Sequence, residues 1–98
     1  MTEYRLSKAT QNDLLAIARY TVQTFGTEQS KSYRDGFKTC FELIAENPKL
    51  GRAQDHIRLG LRCHDHKSHT VYYINTDRGI LIVRVLHEKQ DPARHLDG

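Results

Sequence analysis

The chain has 98 residues, 38% of them apolar and 28% charged, with a formal net charge of +3. This composition predicts one soluble globular domain over residues 1–98 and excludes a (β/α)8 barrel, which needs about 250 residues. The longest aliphatic run, residues 80–83, is far below the roughly 20 residues that span a bilayer. No secretory signal is visible. The two cysteines, Cys40 and Cys63, are too few for a disulfide scaffold, so a reduced cytoplasmic setting is expected.

The positive charge lies in the second half of the chain. Residues 1–48 carry six basic and six acidic groups, whereas residues 49–98 carry nine basic and six acidic groups and all six histidines. The basic groups are scattered and are not interleaved with aromatic residues. Direct sequence-specific binding of nucleic acid is therefore not predicted.

The first half of the chain predicts a short strand followed by a helix. Residues 3–7 alternate as a strand does, and a side-chain oxygen of Ser7 or Thr10 can cap the helix that follows. Gly26 ends this helix, because glycine tolerates the positive φ of that position. The helical spacing gives one apolar stripe: Leu14, Ile17, Ala18, Thr21, Val22 and Phe25.

A second helix is predicted from Thr27 to the Asn47-Pro48 stop. Its apolar stripe is Tyr33, Phe37, Cys40, Phe41 and Ile44. Gly36 interrupts this helix, either because a partner helix or a ligand approaches closely there or because an exposed glycine is tolerated. Cys40 on this stripe and Cys63 on a later strand are predicted to be core residues and not nucleophiles.

The second half of the chain predicts a sheet. Three segments have strand character, at residues 61–65, 69–76 and 79–87, and the last two are joined by a hairpin at Asp77 to Gly79. The last two segments lack strict alternation, which predicts central strands covered on both faces. The tail, residues 91–98, can form at most a short helical turn. The order β-α-α-β-β-β predicts an α+β fold, with a helical hairpin packed on a small antiparallel sheet.

The histidines near the third predicted strand are candidate metal ligands. His64 and His66 share a strand face, and His69 follows closely. A structural zinc site usually needs four ligands, and the other plausible donors here are ordinary surface carboxylates. We therefore predict no metal site, and the absence of glycine-rich phosphate loops predicts no cofactor.

A cationic site is a second possibility. Arg62 shares its strand face with two histidines, Arg84 interrupts an apolar strand, and His87 ends that strand. Together they could bind phosphate or carboxylate. The alternative is a structural ion pair of Arg84, for example with Asp91 or Glu88, and the sequence favours neither.

In order along the chain, these residues resemble the ParE toxins of the RelE/ParE superfamily. The resemblance covers residues 3–96. The segments that carry the resemblance are Tyr4-x-Leu6-Ser7, Asp13-Leu14-x-x-Ile17-x-x-Tyr20-Thr21, Phe25-Gly26-x-x-Gln29, Asn47-Pro48-x-x-Gly51-Arg52, Gly60-Leu61-Arg62, His69-x-Val71-x-Tyr73, Arg84-Val85-Leu86-His87, Asp91, and His95-Leu96. Close members often have a Met-Asp pair after the Arg-Val-Leu-His segment, where this chain has Gln90-Asp91.

The resemblance implies the toxin of a type II toxin–antitoxin module, which is neutralised in a hetero-oligomer with a ParD-like antitoxin and inhibits DNA gyrase without catalysis. The alternative is a ribosome-dependent mRNA endonuclease of the RelE type, for which Arg62, Arg84 and His87 would be the catalytic candidates. No tyrosine follows Tyr73 to match the C-terminal tyrosine of those nucleases. Candidates for binding the antitoxin or the target are the same three residues together with Val22 and Tyr33.

Overall fold

In a computed structural model that describes residues 3–96, the helical hairpin is followed by a three-stranded meander. The elements in chain order are β1 (Tyr4–Leu6), α1 (Lys8–Phe25), α2 (Thr27–Glu46), β2 (Arg52–Ala53), β3 (Arg62–His66), β4 (His69–Thr76), β5 (Gly79–His87) and α3 (Pro92–Leu96). The predicted α+β class and both helix ends are confirmed. Gly26, at φ 93°, joins the two helices directly. No helix in the described part of the chain is long and apolar enough to cross a membrane.

The sheet has five strands in the order β1-β5-β4-β3-β2. Three of the four strand pairings are antiparallel, but β1 runs parallel to β5, with Leu6 opposite Ile82. The sequence predicted an antiparallel sheet, and this one pairing makes it mixed. The pairing is long-range, since the Ile80 N–H donates to the Glu3 carbonyl at 3.0 Å. Local turn residues therefore could not predict it. The two-residue strand β2 was not predicted, because it is too short to show a period.

Apolar side chains cover both faces of the central strands. The helix-side core consists of Phe37, Cys40, Phe41, Ile44, Ala45, Val71, Tyr73, Ile80, Ile82 and Val85. The opposite face buries Leu61, Cys63, Tyr72, Val83, Leu86 and Leu96. The prediction of strands covered on both faces is confirmed, as is the placement of both cysteines in the core. Tyr72 and Tyr73 point to opposite faces because successive strand residues alternate.

Candidate functional site

Arg84 lies at an irregularity of β5. Tyr72 pairs with Arg84 while Tyr73 pairs with Ile82, so Val83 is an extra residue on β5. A bulge of this kind re-aims a side chain out of the regular alternation. In this position the Arg84 side chain reaches α1 instead of entering either core.

The partner of Arg84 is Asp13 on α1. The Arg84 Nε and Nη2 atoms donate to the two Asp13 carboxylate oxygens, each at 2.8 Å. The Val85 N–H donates to Asp13 Oδ2 at 3.0 Å. This hydrogen bonding to Asp13 raises the pKa of Arg84 above its ordinary value. The ion-pair interpretation of Arg84 is therefore correct, but the suggested partners on the β5 end and the tail were wrong, because the true partner is 71 residues away.

The N-terminal turn of α1 is attached to the same part of β5. Ser7 Oγ accepts from the Thr10 N–H at 3.0 Å, which is the predicted N-cap, and also donates to the Val83 carbonyl at 2.9 Å. Thr10 Oγ1 donates to the Ile82 carbonyl at 2.8 Å. Polar groups of α1 thus cover the β5 edge where β1 ends.

Arg62 is engaged separately, at the other end of the sheet. Its Nη1 donates to the Gly51 carbonyl at 2.5 Å and lies 3.4 Å from the Lys49 carbonyl. Arg62 pairs with Tyr73, whereas His87 pairs with His69. Four residues along β4 correspond to about 13 Å. The guanidinium of Arg62 therefore does not meet His87, and the guanidinium of Arg84 is occupied by Asp13.

Three histidines form a row across the sheet at its opposite end. His66, His69 and His87 are direct cross-strand partners on β3, β4 and β5. The rings of His69 and His87 are perpendicular, with centroids 5.2 Å apart. The Tyr33 hydroxyl of α2 lies 2.6 Å from His69 Nδ1. We call His66, His69 and His87 the histidine row.

The histidine row is partly buried against α2. Burial, followed by the neighbouring charges of Lys67 and His64, lowers the pKa of His66. Burial, followed by His87 and His66, lowers the pKa of His69. The close approach inferred at Gly36 is made by His66: a Cβ at residue 36 would lie 2.9 Å from His66 Nε2. Among the buried side-chain atoms of residues 3–96, His66 Nε2 has no hydrogen-bond partner.

Metal binding has no geometric support in the described region. His64 and His66 share a face of β3, but residues 3–96 contain no group of three or more His, Cys, Asp or Glu side chains placed to hold a metal ion. Two of the three histidines in the row are oriented by other contacts, His69 by Tyr33 and His66 by Gly36 and Phe37.

Gln90 closes the end of β5. Its Oε1 accepts from the His87 N–H at 2.7 Å, and its own N–H donates to the His87 carbonyl at 2.9 Å. The Lys89 N–H donates to His87 Nδ1 at 3.2 Å. These contacts fix the backbone and the ring of His87 at the rim of the cavity described next.

Two open cavities flank α1. The first, of about 510 Å³, lies between α1 and the histidine row and is lined by Ala16, Ile17, Tyr20, Thr21, Phe25, Gln29, Tyr33, Lys67, Ser68, His69 and His87. We call it the histidine cavity. The second, of about 570 Å³, runs between α1 and α2 and is lined by Tyr4, Leu6, Gln11, Leu14, Leu15, Ile17, Ala18, Thr21, Ser30, Tyr33, Arg34, Phe37, Lys38 and Phe41. We call it the hairpin groove.

Large apolar side chains on α1 remain exposed beside these cavities: Leu15 (56%), Tyr20 (64%), Val22 (43%) and Phe25 (64%). The candidate residues Val22 and Tyr33 differ, because Val22 is exposed whereas Tyr33 is half-buried and lines both cavities. The sequence predicted Phe25 on the apolar stripe of α1 and predicted no surface role for Leu15 or Tyr20, yet all three side chains are exposed. A usable signal was present, since Leu15 and Tyr20 fall outside the predicted stripe.

Both a family model and individual relatives of known name match nearly the whole chain. The family described as ParE toxin of type II toxin–antitoxin system, parDE, matches residues 4–92. Toxin ParE1 of Caulobacter vibrioides is 36% identical over 96 residues, covering 98% of this chain and 99% of that protein. Toxin ParE1 of Mycobacterium tuberculosis is 38% identical over 96 residues, covering 97% and 98%.

The fold has a solved counterpart as well. A chain of a chromosomal ParDE TA system from P. aeruginosa superposes with a TM-score of 0.76 at 18% identity, covering 89% of this chain and 96% of that one. At this identity the likeness concerns the fold alone. The match over residues 4–92 and the two full-length relatives together establish that this chain belongs to the ParE toxin family of type II toxin–antitoxin systems.

Proposed function

We propose that this toxin acts in the cytoplasm by inhibiting DNA gyrase through protein–protein contact, and that a ParD-like antitoxin neutralises it by covering α1. The observation that carries the proposal is the apolar surface of α1. Leu15, Tyr20 and Phe25 are each more than half exposed. Leu15 lines the hairpin groove, whereas Tyr20 and Phe25 line the histidine cavity, and exposed apolar side chains along grooves are typical of a site for another protein.

The antitoxin is the partner that this surface suits best. An amphipathic helix binds by placing apolar side chains into a groove between elements of its partner. The hairpin groove offers such a site, with Leu14 and Ala18 on one wall and Phe37 on the other. Arg34 and Lys38 of α2 also line it, so an acidic helix would be favoured over a basic one.

A non-catalytic mode of action fits the arrangement of the cationic residues. Cleavage of RNA needs a base, an acid and cations gathered around one phosphate. Here Asp13 binds the guanidinium of Arg84, and Arg62 donates to the turn that contains Gly51. His87 lies with the histidine row, so these groups are not gathered at one point. Gyrase as the specific target is inferred from family membership.

The target is tested with the purified chain in two assays run side by side, supercoiling by gyrase and cleavage of message on translating ribosomes. We expect loss of supercoiling activity and intact message. Ribosome-dependent cleavage with unaffected supercoiling would overturn the proposal in favour of the RelE-type endonuclease. Arg62→Ala should then abolish cleavage, whereas under our proposal it changes supercoiling inhibition only if the fold is disturbed.

The antitoxin surface is tested by introducing one charge. Leu15→Asp should weaken binding of a ParD-like antitoxin with little change in thermal unfolding, because Leu15 lines the hairpin groove and is already 56% exposed. Leu59→Asp is the matched control, since Leu59 is 87% exposed in the loop between β2 and β3 and lines neither α1 cavity. Equal affinity of the two variants and the unchanged chain would exclude this part of α1 from the interface.

A further inference from the structure

We propose that the histidine cavity receives an acidic segment of the antitoxin, with a carboxylate held between His69 and His87, and that His69 takes up a proton as the segment binds. This inference rests on the proposed antitoxin partner and adds a subsite and a pH dependence to it.

The residues that line the histidine cavity favour a ligand with both a carboxylate and an apolar side chain. One wall is apolar and belongs to α1, where Ile17, Tyr20 and Phe25 line it. The opposite end carries nitrogen donors, from Lys67 and from two histidines of the row. A segment that places a carboxylate beside a bulky apolar side chain complements both ends at once.

The turn between β3 and β4 keeps a positive charge at this end at a conformational cost. Lys67 has φ 55°, the single positive φ of a non-glycine residue within residues 3–96. This region suits glycine and is uncommon for other residues. The Lys67 ammonium lies 5.6 Å from the centre of the Tyr33 ring, which lines the cavity. The two-residue turn between β3 and β4 calls for a positive φ at this position, where glycine or asparagine is usual, and here the residue is a lysine.

Hydrogen bonds determine which ring takes the proton. His87 Nδ1 accepts from the Lys89 N–H, so neutral His87 carries its proton on Nε2 and serves as a donor. The Tyr33 hydroxyl beside His69 Nδ1 can donate to a neutral ring or accept from a protonated one. His69 can therefore gain a proton without losing its hydrogen bond.

The surroundings of His69 favour its neutral ring in the free protein. His66 faces it from β3, His87 from β5, Glu88 from the residue after β5, Tyr33 from α2 and Asp13 from α1, and Lys67 lines the same cavity. Burial, then His87 and His66, lower the pKa of His69, and Glu88 and Asp13 oppose this more weakly. A carboxylate bound in the cavity adds an opposite charge and favours the protonated ring. Binding and proton uptake are thus linked, and affinity rises as pH falls.

The test is isothermal calorimetry of the full chain with a ParD-like antitoxin between about pH 8 and about pH 6, a range that brackets histidine titration. Two buffers with different ionisation enthalpies report protons taken up. We expect Kd to decrease toward acidic pH, by up to about tenfold per pH unit for one proton. His69→Gln should flatten this slope. His95→Gln, on the exposed side of α3, is the matched control and should keep it.

A second variant guards against misfolding. Lys67→Gly relieves the positive φ and removes the charge, so the protein should unfold at the same or a higher temperature while affinity falls about two- to fivefold. Binding with the same pH slope in His69→Gln as in the unchanged chain would overturn the inference and leave the proposed function standing. Absence of any binding at all pH values would overturn both.

Discussion

The helices α1 and α2 lie on the same sheet and have apolar stripes of similar spacing, yet they bury very different side chains. α2 buries Phe37, Cys40, Phe41, Ile44 and Ala45, whereas the buried residues of α1 are Thr10 and Thr21. Of the large apolar residues of α1, Leu14 and Ile17 are half-buried against the core, whereas Leu15, Tyr20, Val22 and Phe25 are exposed. An amphipathic pattern therefore indicates a helix but not which apolar residues the fold will cover.

The two helices are also attached by different forces. α2 packs on the sheet through aromatic contacts, such as those of Phe37 with His66 and of Phe41 with Tyr4. α1 is attached at its N-terminal end by hydrogen bonds of Ser7, Thr10 and Asp13 to β5. Polar attachment at one end leaves the apolar surface of α1 available for a partner, which is the arrangement that the proposed function requires.

The largest expected effect is a difference in stability between a substitution on α2 and a substitution on α1. Phe37→Ala removes a side chain that is 2% exposed and leaves a cavity, so the free energy of unfolding should fall by about 3–5 kcal/mol. Phe25→Ala removes a side chain that is 64% exposed and should change it by about 0.5 kcal/mol or less. Urea denaturation of both variants measures the difference. Similar losses would mean that α1 belongs to the core.

The next effect concerns the attachment of α1. Asp13→Ala leaves Arg84 without its partner in a site where the two side chains are 14% and 22% exposed, and should cost about 2–4 kcal/mol. The double variant Asp13→Leu with Arg84→Met should recover much of that loss, because it leaves no unpaired charge. A double-mutant cycle followed by urea denaturation gives the coupling. Simple additivity would show that the pair does not hold the helix.

A smaller effect tests how α2 packs on the histidine row. His66 and His69 have a lowered pKa in the folded state, so the unfolded chain binds more protons near and below the ordinary histidine value of 6.5. Stability should therefore fall as pH decreases from about 7.5 to about 5.5, with a slope of up to about 1.4 kcal/mol per pH unit for each histidine. Thermal unfolding across this range measures it, and His66→Gln should reduce the slope. A stability that rises toward acidic pH would contradict the burial of these rings.

The smallest effect lies at the one glycine inside α2. Gly36→Ala gains about 1 kcal/mol of helix propensity but forces His66 aside, since the new Cβ would lie 2.9 Å from its Nε2. We expect a net loss of about 1 kcal/mol by urea denaturation, in line with the usual effect of one substitution. Adding His66→Ala removes the obstacle, so Gly36→Ala should stabilise that background. Stabilisation of the unchanged background would show that His66 moves freely.

Local signals in the sequence account for most of the fold. Gly26 and Asn47-Pro48 mark the helix ends that the structure has, and the hairpin at Asp77 to Gly79 joins β4 to β5. What local signals omit is long-range pairing. The parallel placement of β1 beside β5 and the bond between Asp13 and Arg84 both join residues more than 70 positions apart.

The candidate site was predicted less completely than the fold. Arg84 and His87 were identified by their unusual positions on a strand, but the sequence does not show that a bulge turns Arg84 toward α1. The row formed by His66, His69 and His87 depends on strand register, which no single segment specifies. The exposure of Phe25 depends on how far α1 extends beyond the sheet, which periodicity does not encode.

The bond between Asp13 and Arg84 has a consequence for how this family varies over time. A change at either position alone leaves a partly buried charge without its counterpart, so most single changes should destabilise the fold. In an alignment of related toxins, positions 13 and 84 should therefore change together, as acid with base or as two apolar residues. Exposed groove positions such as Leu15 should instead vary with the antitoxin that each toxin binds. Residues that attach α1 to the sheet and residues that contact the antitoxin should therefore show different patterns of variation.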